Sequence, residues 1–336
     1  MDSLDVVFTG PRQVEVLRQP VPEVGPDQVL VHASRSLIST GTEGIIYGRL
    51  FAPDTHWDRW VKYPFRPGYS LVGQVVAVGP EVQGWRGLER VALRSPHGQY
   101  TVASPSALTR IPDGVTDEDA TWFGLSHIVQ NGIRRAEHVL GDTVVVVGLG
   151  LLGQLVVQHV RLLGARRVIA IDTAPVRLRM ARQHGATHCI EASAAEARAS
   201  VMEITGGRGA DVVYEVTGNA AVLPAALGLV RTLGKLLLLG DTGTPSEQRL
   251  TPDVVTRGLR IIGAHDVNPP AVGTDHTPWG RVEMAELFFE YVARGELKLA
   301  DLITHRYKPT DAPAAYQMLA DRRSEAMGVL FDWSGV

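Results

Sequence analysis

With 336 residues the chain is long for a single domain and suits two. Its hydrophobic fraction of 45% and charged fraction of 21% are those of an ordinary globular protein and exclude a disordered or fibrous one, while a formal net charge of −3 leaves no electrostatic footprint for nucleic acid or an anionic membrane. The single cysteine, Cys189, excludes an internal disulfide, a CxxC redox pair and a four-cysteine zinc lobe. Apolar runs such as Leu236–Leu239 are too short to cross a bilayer, and Met1-Asp-Ser-Leu-Asp-Val lacks the basic and apolar regions of a secretory signal. The expectation is a cytoplasmic protein with neither a membrane nor a nucleic-acid partner.

The N-terminal third reads as β structure punctuated by turns. Val14–Leu17, Val29–Ala33 and Gln74–Val78 are strand-like and are bounded by Gly10-Pro11, Gly25-Pro26 and Gly79-Pro80, which suggests a barrel or partly open sandwich. Between them runs a long irregular segment, Ser39 to Tyr69. Its aromatics, Tyr47, Phe51, Trp57, Trp60, Tyr63, Phe65 and Tyr69, form either a satellite core or a wall of a substrate pocket. Thr116, followed by Asp117-Glu118-Asp119, reads as the N-cap of a helix.

From there strands and helices alternate. Val144–Val147 reads as a strand covered on both faces, and the spacing after Gly153 predicts a helix. A strand over Arg167–Asp172, a helix over Ala174–His184 and a short buried strand around Cys189 come next. They are followed by a helix over Ala195–Thr205, a strand over Asp211–Val216 and a helix over Ala220–Leu233 closed by Gly234. Strands over Lys235–Leu239 and Arg260–Ile262 complete the rhythm of a doubly wound parallel sheet. The C-terminal stretch predicts helices over Arg281–Arg294 and Ala312–Ala320 and strands over Ile303–Tyr307 and Val329–Phe331.

The chemistry concentrates where the first of those strands turns into its helix. In Gly148-Leu149-Gly150-Leu151-Leu152-Gly153 the glycines allow a tight turn, approach of a pyrophosphate to the backbone, and close packing of helix on sheet. The helix N-terminus adds free N–H groups and a positive dipole end. The next strand ends on Asp172, 19 residues after Gly153, the placement from which a carboxylate takes both hydroxyls of an adenosine ribose. That carboxylate repels a 2′-phosphate and Thr173-Ala174-Pro175 offers no arginine to hold one, so NAD(H) is expected over NADP(H). Arg177, in the following helix, counts with this site, although a solvated face is its plain reading. Thr217-Gly218 and Gly240-Asp241 follow strands at the carboxyl edge of the sheet, where such folds bind ligands.

The order of parts resembles the medium-chain dehydrogenase/reductase superfamily. The matching stretches are Pro67–Ser70 with Val72–Gly79, Gly141–Gly150, Ala210–Gly218, and Ile303–Arg306 before Asp311–Tyr316. The resemblance implies an α/β protein: a GroES-like β-barrel catalytic domain (1–124 and 268–336) and a Rossmann doubly wound parallel sheet (125–267), with hydride transfer as the activity. It also implies a homodimer or homotetramer, with the strand after Gly258 pairing across a two-fold axis. Zinc-dependent members carry a cysteine where this chain has Thr40, and a His-Glu where it has Tyr69-Ser70; Arg94–Tyr100 runs on without the structural zinc lobe. No metal is therefore expected. Ser39-Thr-Gly-Thr-Glu43 is similar to the same run in a zinc-free branch that includes the bacteriochlorophyllide dehydrogenases.

Without the metal, hydrogen-bond donors must hold the reacting oxygen and a general acid/base must exchange its proton. By resemblance Tyr69 occupies the vacated histidine position, either as the acid/base or as a ring that fills the space. Thr40 replaces the first cysteine, Thr42 matches a proton-relaying hydroxyl, and Glu43 matches an outer acid that orients a donor, acts as base, or pairs with an arginine. His127 is a further candidate base or a structural histidine; His265 lies in a loop that the family places near the nicotinamide. The expected reaction is oxidation of a secondary alcohol or reduction of a ketone, on a sugar, cyclitol or specialised metabolite. Reduction of a conjugated C=C bond, as in zinc-free enoyl and quinone reductases, and a non-catalytic dinucleotide-binding protein are the alternatives.

Overall fold

The computed structural model describes residues 2–336. In chain order the first part contains β1 (Asp2–Gly10), β2 (Gln13–Pro20), β3 (Val29–Leu37), α1 (Thr42–Gly48), α2 (His56–Trp60) and β4 (Leu71–Val78). It continues with β5 (Arg90–Leu93), β6 (Tyr100–Ala103), β7 (Leu108–Arg110), α3 (Asp117–Ala120) and α4 (Phe123–Arg135). The central part runs β8 (Thr143–Val147), α5 (Leu151–Leu162), β9 (Arg167–Asp172), α6 (Pro175–Gln183), β10 (His188–Glu191), α7 (Arg198–Ile204) and β11 (Ala210–Glu215). It closes with α8 (Leu223–Leu229), β12 (Val230–Leu238), α9 (Asp253–Thr256) and β13 (Arg260–Gly263). Last come α10 (Arg281–Ala293), β14 (Ile303–Tyr307), α11 (Ala312–Asp321) and β15 (Gly328–Asp332).

The chain divides into two compact units. One holds the residues through Leu50, Asp58–Leu125 and Val272–Val336; the other holds Phe51–Trp57 and Ser126–Ala271. The expected boundaries did not include the excursion Phe51–Trp57. Its attachment is specific: Ala52 N–H donates to the Gly243 carbonyl at 2.8 Å, and His56 Nε2 lies 2.8 Å from Asp241 Oδ2.

The second unit is built on a six-stranded sheet in the order β10-β9-β8-β11-β12-β13, every pair parallel. The chain starts at β8, builds outward through β9 and β10, then crosses to β11 on the other side, so the order reverses between β8 and β11. β8 is buried along its whole length. On one face Val145, Ile169, Val213 and Leu236 pack with Val201 of α7 and Leu223 and Leu227 of α8; each such side chain contributes about 1.5–3 kcal/mol on burial.

In the first unit β14-β15-β3-β4-β5-β7 form a mixed sheet, and β6 also pairs with β3. The C-terminal strand β15 lies antiparallel to β3, with Leu330 opposite Leu37. The aromatic segment supplies core here. Tyr47 packs with Phe8 and Tyr316, and Trp60 stands edge-on to Phe65. Thr116 does cap α3, its Oγ1 accepting from Asp119 N–H at 3.0 Å.

Several elements differ from expectation. β1 was unforeseen; Val6, Val7 and Phe8 are buried together, so no alternation marks them. The segment Ser39 to Tyr69, read as irregular, holds α1 and α2. The helix expected over Ala220–Leu233 ends at Leu229, because Val230 already pairs with Ala210 of β11. The helix expected from Ala195 starts at Arg198. Cys189 is half-buried on the edge strand β10 rather than in the core, its thiol 3.5 Å from the Leu178 carbonyl, and burial pushes the thiol pKa up.

Candidate active site

The glycine turn divides its labour among three positions. Gly148 has φ +91°, a left-handed conformation that favours glycine, and a β-carbon there would meet Thr217 Cγ2 at 2.7 Å. A β-carbon on Gly153 would stand 2.1 Å from the Gly148 carbonyl oxygen, so only glycine lets α5 start this close to β8. Gly150 is different. It has φ −69°, and nothing lies within 4 Å of where its β-carbon would be. Neither packing nor backbone requires glycine there; the open side faces whatever approaches the first turn of α5. The N–H groups of Leu151, Leu152 and Gly153 have no acceptor within the helix, since the first helical bond runs from Gln154 N–H to the Gly150 carbonyl at 3.0 Å.

Asp172 ends β9 beside that turn. Its Oδ2 accepts from Leu149 N–H at 2.7 Å and its Oδ1 from Ala174 N–H at 2.8 Å, so the carboxylate is fixed at the mouth of the turn. Arg177 Nη1 lies 3.9 Å away, its charge countered by that acid.

Along the carboxyl edge, Glu215 organises the neighbouring loop. It is fully buried, and Oε1 accepts from Thr217 N–H at 2.7 Å and from the Thr217 hydroxyl. Burial raises its pKa. Gly218, at φ +64°, and Gly240 approach so closely that a β-carbon on Gly240 would stand 2.3 Å from Gly218 N. Asp241 follows Gly240 and pairs with His56, whose imidazole is half exposed. His265 follows β13; its carbonyl accepts from Asn131 of α4 at 2.8 Å and its Nδ1 lies 3.1 Å from Asp266. His127 is buried in α4.

The remaining candidates belong to the first unit. Tyr69 Oη and Ser39 Oγ are 2.7 Å apart, and the Arg94 guanidinium carbon stands 4.8 Å from the centre of the Tyr69 ring. Thr40 and Thr42 are half-buried, Thr42 opening α1. Glu43 is 1% exposed. Its Oε1 accepts from Ser39 N–H at 2.7 Å, while Oε2 accepts from the Tyr316 hydroxyl at 2.5 Å and lies 3.1 Å from His97 Nε2. Its partners are therefore a histidine, a tyrosine and a backbone amide, not the arginine considered above. Burial, with Glu43 alongside, holds the Tyr316 phenol well above its usual range, so it remains a donor.

The network extends inward. Trp333 Nε1–H donates to Ser36 Oγ at 2.9 Å, and Ser36 Oγ lies 2.8 Å from His97 Nδ1. A carboxylate only accepts, so His97 presents Nε2–H to Glu43, and its Nδ1 is left to receive the Ser36 hydroxyl proton. Sequence reasoning missed Ser39, Arg94, His97, Tyr316 and His56 as functional groups. His97 and Tyr316 lay within quoted stretches, but nothing local signals that they meet Glu43.

These residues do not fit zinc. Thr40, Tyr69 and Ser70 stand where ligands were sought, and the one histidine–carboxylate pair nearby, His97–Glu43, spends its atoms on the network. Among the described residues no group of three or more His, Cys, Asp or Glu could hold a metal ion. Among them, too, no helix is long and apolar enough to cross a membrane.

A family model described as zinc-binding dehydrogenase matches residues 152–273. An alcohol dehydrogenase of Cupriavidus necator is 27% identical over 379 residues, covering 96% of each chain. An L-threonine 3-dehydrogenase of Anaeromyxobacter sp. (strain K) is 28% identical over 356 residues, covering 94% of this chain and 93% of that one. The fold superposes on an oxidoreductase/dehydrogenase of unknown specificity from Escherichia coli with a TM-score of 0.83 at 20% identity, over 99% of both chains. The glycine turn with its acid, the six-stranded parallel sheet and these likenesses together make the chain a member of the medium-chain dehydrogenase/reductase superfamily and an oxidoreductase.

Proposed function

We propose that the protein is an NAD(H)-dependent, zinc-independent dehydrogenase that interconverts a secondary alcohol and its ketone, on a sugar, cyclitol or specialised metabolite, with Tyr69 as general acid/base. The observation that carries this reading is the pairing of Asp172 with the open glycine turn. A carboxylate held 2.7 Å from Leu149 N–H presents acceptors for ribose hydroxyls and repels a 2′-phosphate, while Gly150 leaves its side of the turn open. When bound, the nicotinamide supplies or takes the hydride.

The rest falls to the chain. The free N–H groups at the start of α5 take the pyrophosphate, and Asp172 orients the ribose. The Gly218–Gly240 approach sets the backbone at the carboxyl edge of the sheet. On reduction the Tyr69 hydroxyl donates its proton to the carbonyl oxygen; on oxidation the phenolate accepts the alcohol's proton. Thr40 and Thr42 offer hydroxyls for the same oxygen. Glu43 holds Ser39, and through it Tyr69; this is the orienting role among those considered for it.

A cytoplasmic homodimer or homotetramer is part of the proposal, because β13 is an edge of its sheet and free to pair with a second copy. Light scattering on the purified chain tests that. The function is tested by a screen of secondary alcohols and ketones against NAD⁺ and NADH, with Tyr69→Phe alongside. Turnover that collapses in the variant while NADH affinity stays constant is the expected result. Tight NADH binding with no turnover of any alcohol, ketone or enone would move the protein to the non-catalytic reading.

A further inference from the structure

We propose that Ser39 and Arg94 are positioning residues for Tyr69, the serine hydroxyl holding the phenol oxygen and the arginine charge stabilising the phenolate through the face of its ring. The proposal rests on the reading of Tyr69 as the acid/base and names what makes a tyrosine competent there. An isolated phenol ionises near pH 10, far above the range in which most dehydrogenases work, so a tyrosine that exchanges protons needs its ionised form favoured.

Both requirements are met by geometry within the first unit. Ser39 Oγ lies 2.7 Å from Tyr69 Oη, close enough to donate once the phenol has given up its proton. Ser39 is itself only 6% exposed, and its N–H is held by Glu43, which His97 and Tyr316 anchor in turn. The hydroxyl is therefore aimed by a buried chain of hydrogen bonds. On the face of the ring, Arg94 follows β5 and brings its guanidinium carbon to 4.8 Å from the ring centre. A cation over an aromatic face is attracted to the neutral ring, and more strongly to a phenolate whose charge spreads into that ring.

Titratable groups near Tyr69 include Glu43, whose carboxylate stands behind Ser39, and His97, whose ring lies 2.8 Å from where a β-carbon on Gly68 would be. From α4, Gly124 approaches the ring: a β-carbon there would stand 3.5 Å from Tyr69 Cδ2. Glu43 works against ionisation of Tyr69, but its charge is spread over three donors. Arg94 is exposed, and solvent limits its effect to a shift of about 0.5–1 pH unit.

The bland reading is that Arg94 merely covers the ring. The two separate in a titration that needs no substrate: phenolate absorbance against pH, with Tyr69→Phe subtracted to isolate this residue. Arg94→Gln, subtracted against Arg94→Gln/Tyr69→Phe, is expected to raise the Tyr69 midpoint by about 0.5–1 unit, and Arg94→Lys to restore most of it. Ser39→Ala is expected to raise it as well. A midpoint unchanged in both Arg94→Gln and Ser39→Ala overturns the inference. Failure of the underlying reading looks different, since Tyr69→Phe would then turn over at the wild-type rate whatever the titration shows.

Discussion

Replacing Glu43 by alanine separates a structural acid from a catalytic one. The carboxylate is 1% exposed and accepts from Ser39 N–H, the Tyr316 hydroxyl and His97 Nε2–H. Alanine leaves those three donors buried without an acceptor, and each orphaned donor costs about 1–3 kcal/mol. A water entering the vacated space recovers part of this, because the space is polar and has several partners to offer. The net loss is then about 3 kcal/mol, and a unit of this size loses roughly 2–4 °C of melting temperature per kcal/mol. Scanning calorimetry of Glu43→Ala should show the first unit melting roughly 6–12 °C early. Glu43→Gln should lose less, since its amide oxygen still accepts from Ser39 while its amide nitrogen faces the two donors that Oε2 now serves. A melting curve for Glu43→Ala within about 2 °C of wild type would refute the network as a source of stability.

Gly150→Ala should melt like the wild type, since φ −69° suits alanine and nothing stands within 4 Å, yet weaken NADH binding at least about tenfold by titration; Gly153→Ala, whose β-carbon would meet the Gly148 carbonyl at 2.1 Å, should lose stability itself. Asp172→Ser should lower the NAD-over-NADP ratio of kcat/KM at least about tenfold, and a wild type that already prefers NADPH would contradict the ribose assignment. Dialysis against a chelator should leave turnover unchanged; activity lost and then restored by zinc would overturn the donor scheme. His159, buried in α5 with Nδ1 donating to the Leu155 carbonyl at 2.8 Å, has its pKa lowered by burial from 6.5 to about 4. The unfolded chain therefore protonates first as the pH falls, and stability present above pH 6.5 is lost between there and about pH 4, up to about 3 kcal/mol. His159→Leu should flatten that part of a melting-temperature profile against pH.

What could be read along the chain follows from where each interaction lies. The glycine turn, Asp172 and the Thr116 cap bind within a few residues or one strand–helix–strand step, so their spacing alone marks them. The parallel sheet was legible for a related reason: strands buried on both faces, such as β8, cannot alternate and stand out as continuous apolar runs. The errors come from elements whose state is decided elsewhere. Val230 to Leu233 continues an apolar helical pattern up to a glycine, yet Val230 is drawn into pairing with β11, and the strand bulges before Lys235 resumes the register with Val212. Tertiary pairing overrides local preference there.

The candidate site divides along the same line. Its dinucleotide half is local. The network around Glu43 joins His97, Tyr316, Ser36 and Trp333 through bonds whose partners lie 54 to 297 residues apart along the chain, between donors and acceptors that carry no pattern in sequence. Where a zinc ion is present, a short ligand motif advertises the centre, because the metal itself gathers the groups. The Glu43 network is gathered by burial and hydrogen bonding, and each member alone reads as an ordinary core residue. Glu43 shows the consequence: its sequence position suggested an acid, but nothing near it in sequence announces the donors from His97 and Tyr316 that meet its carboxylate alongside Ser39 N–H.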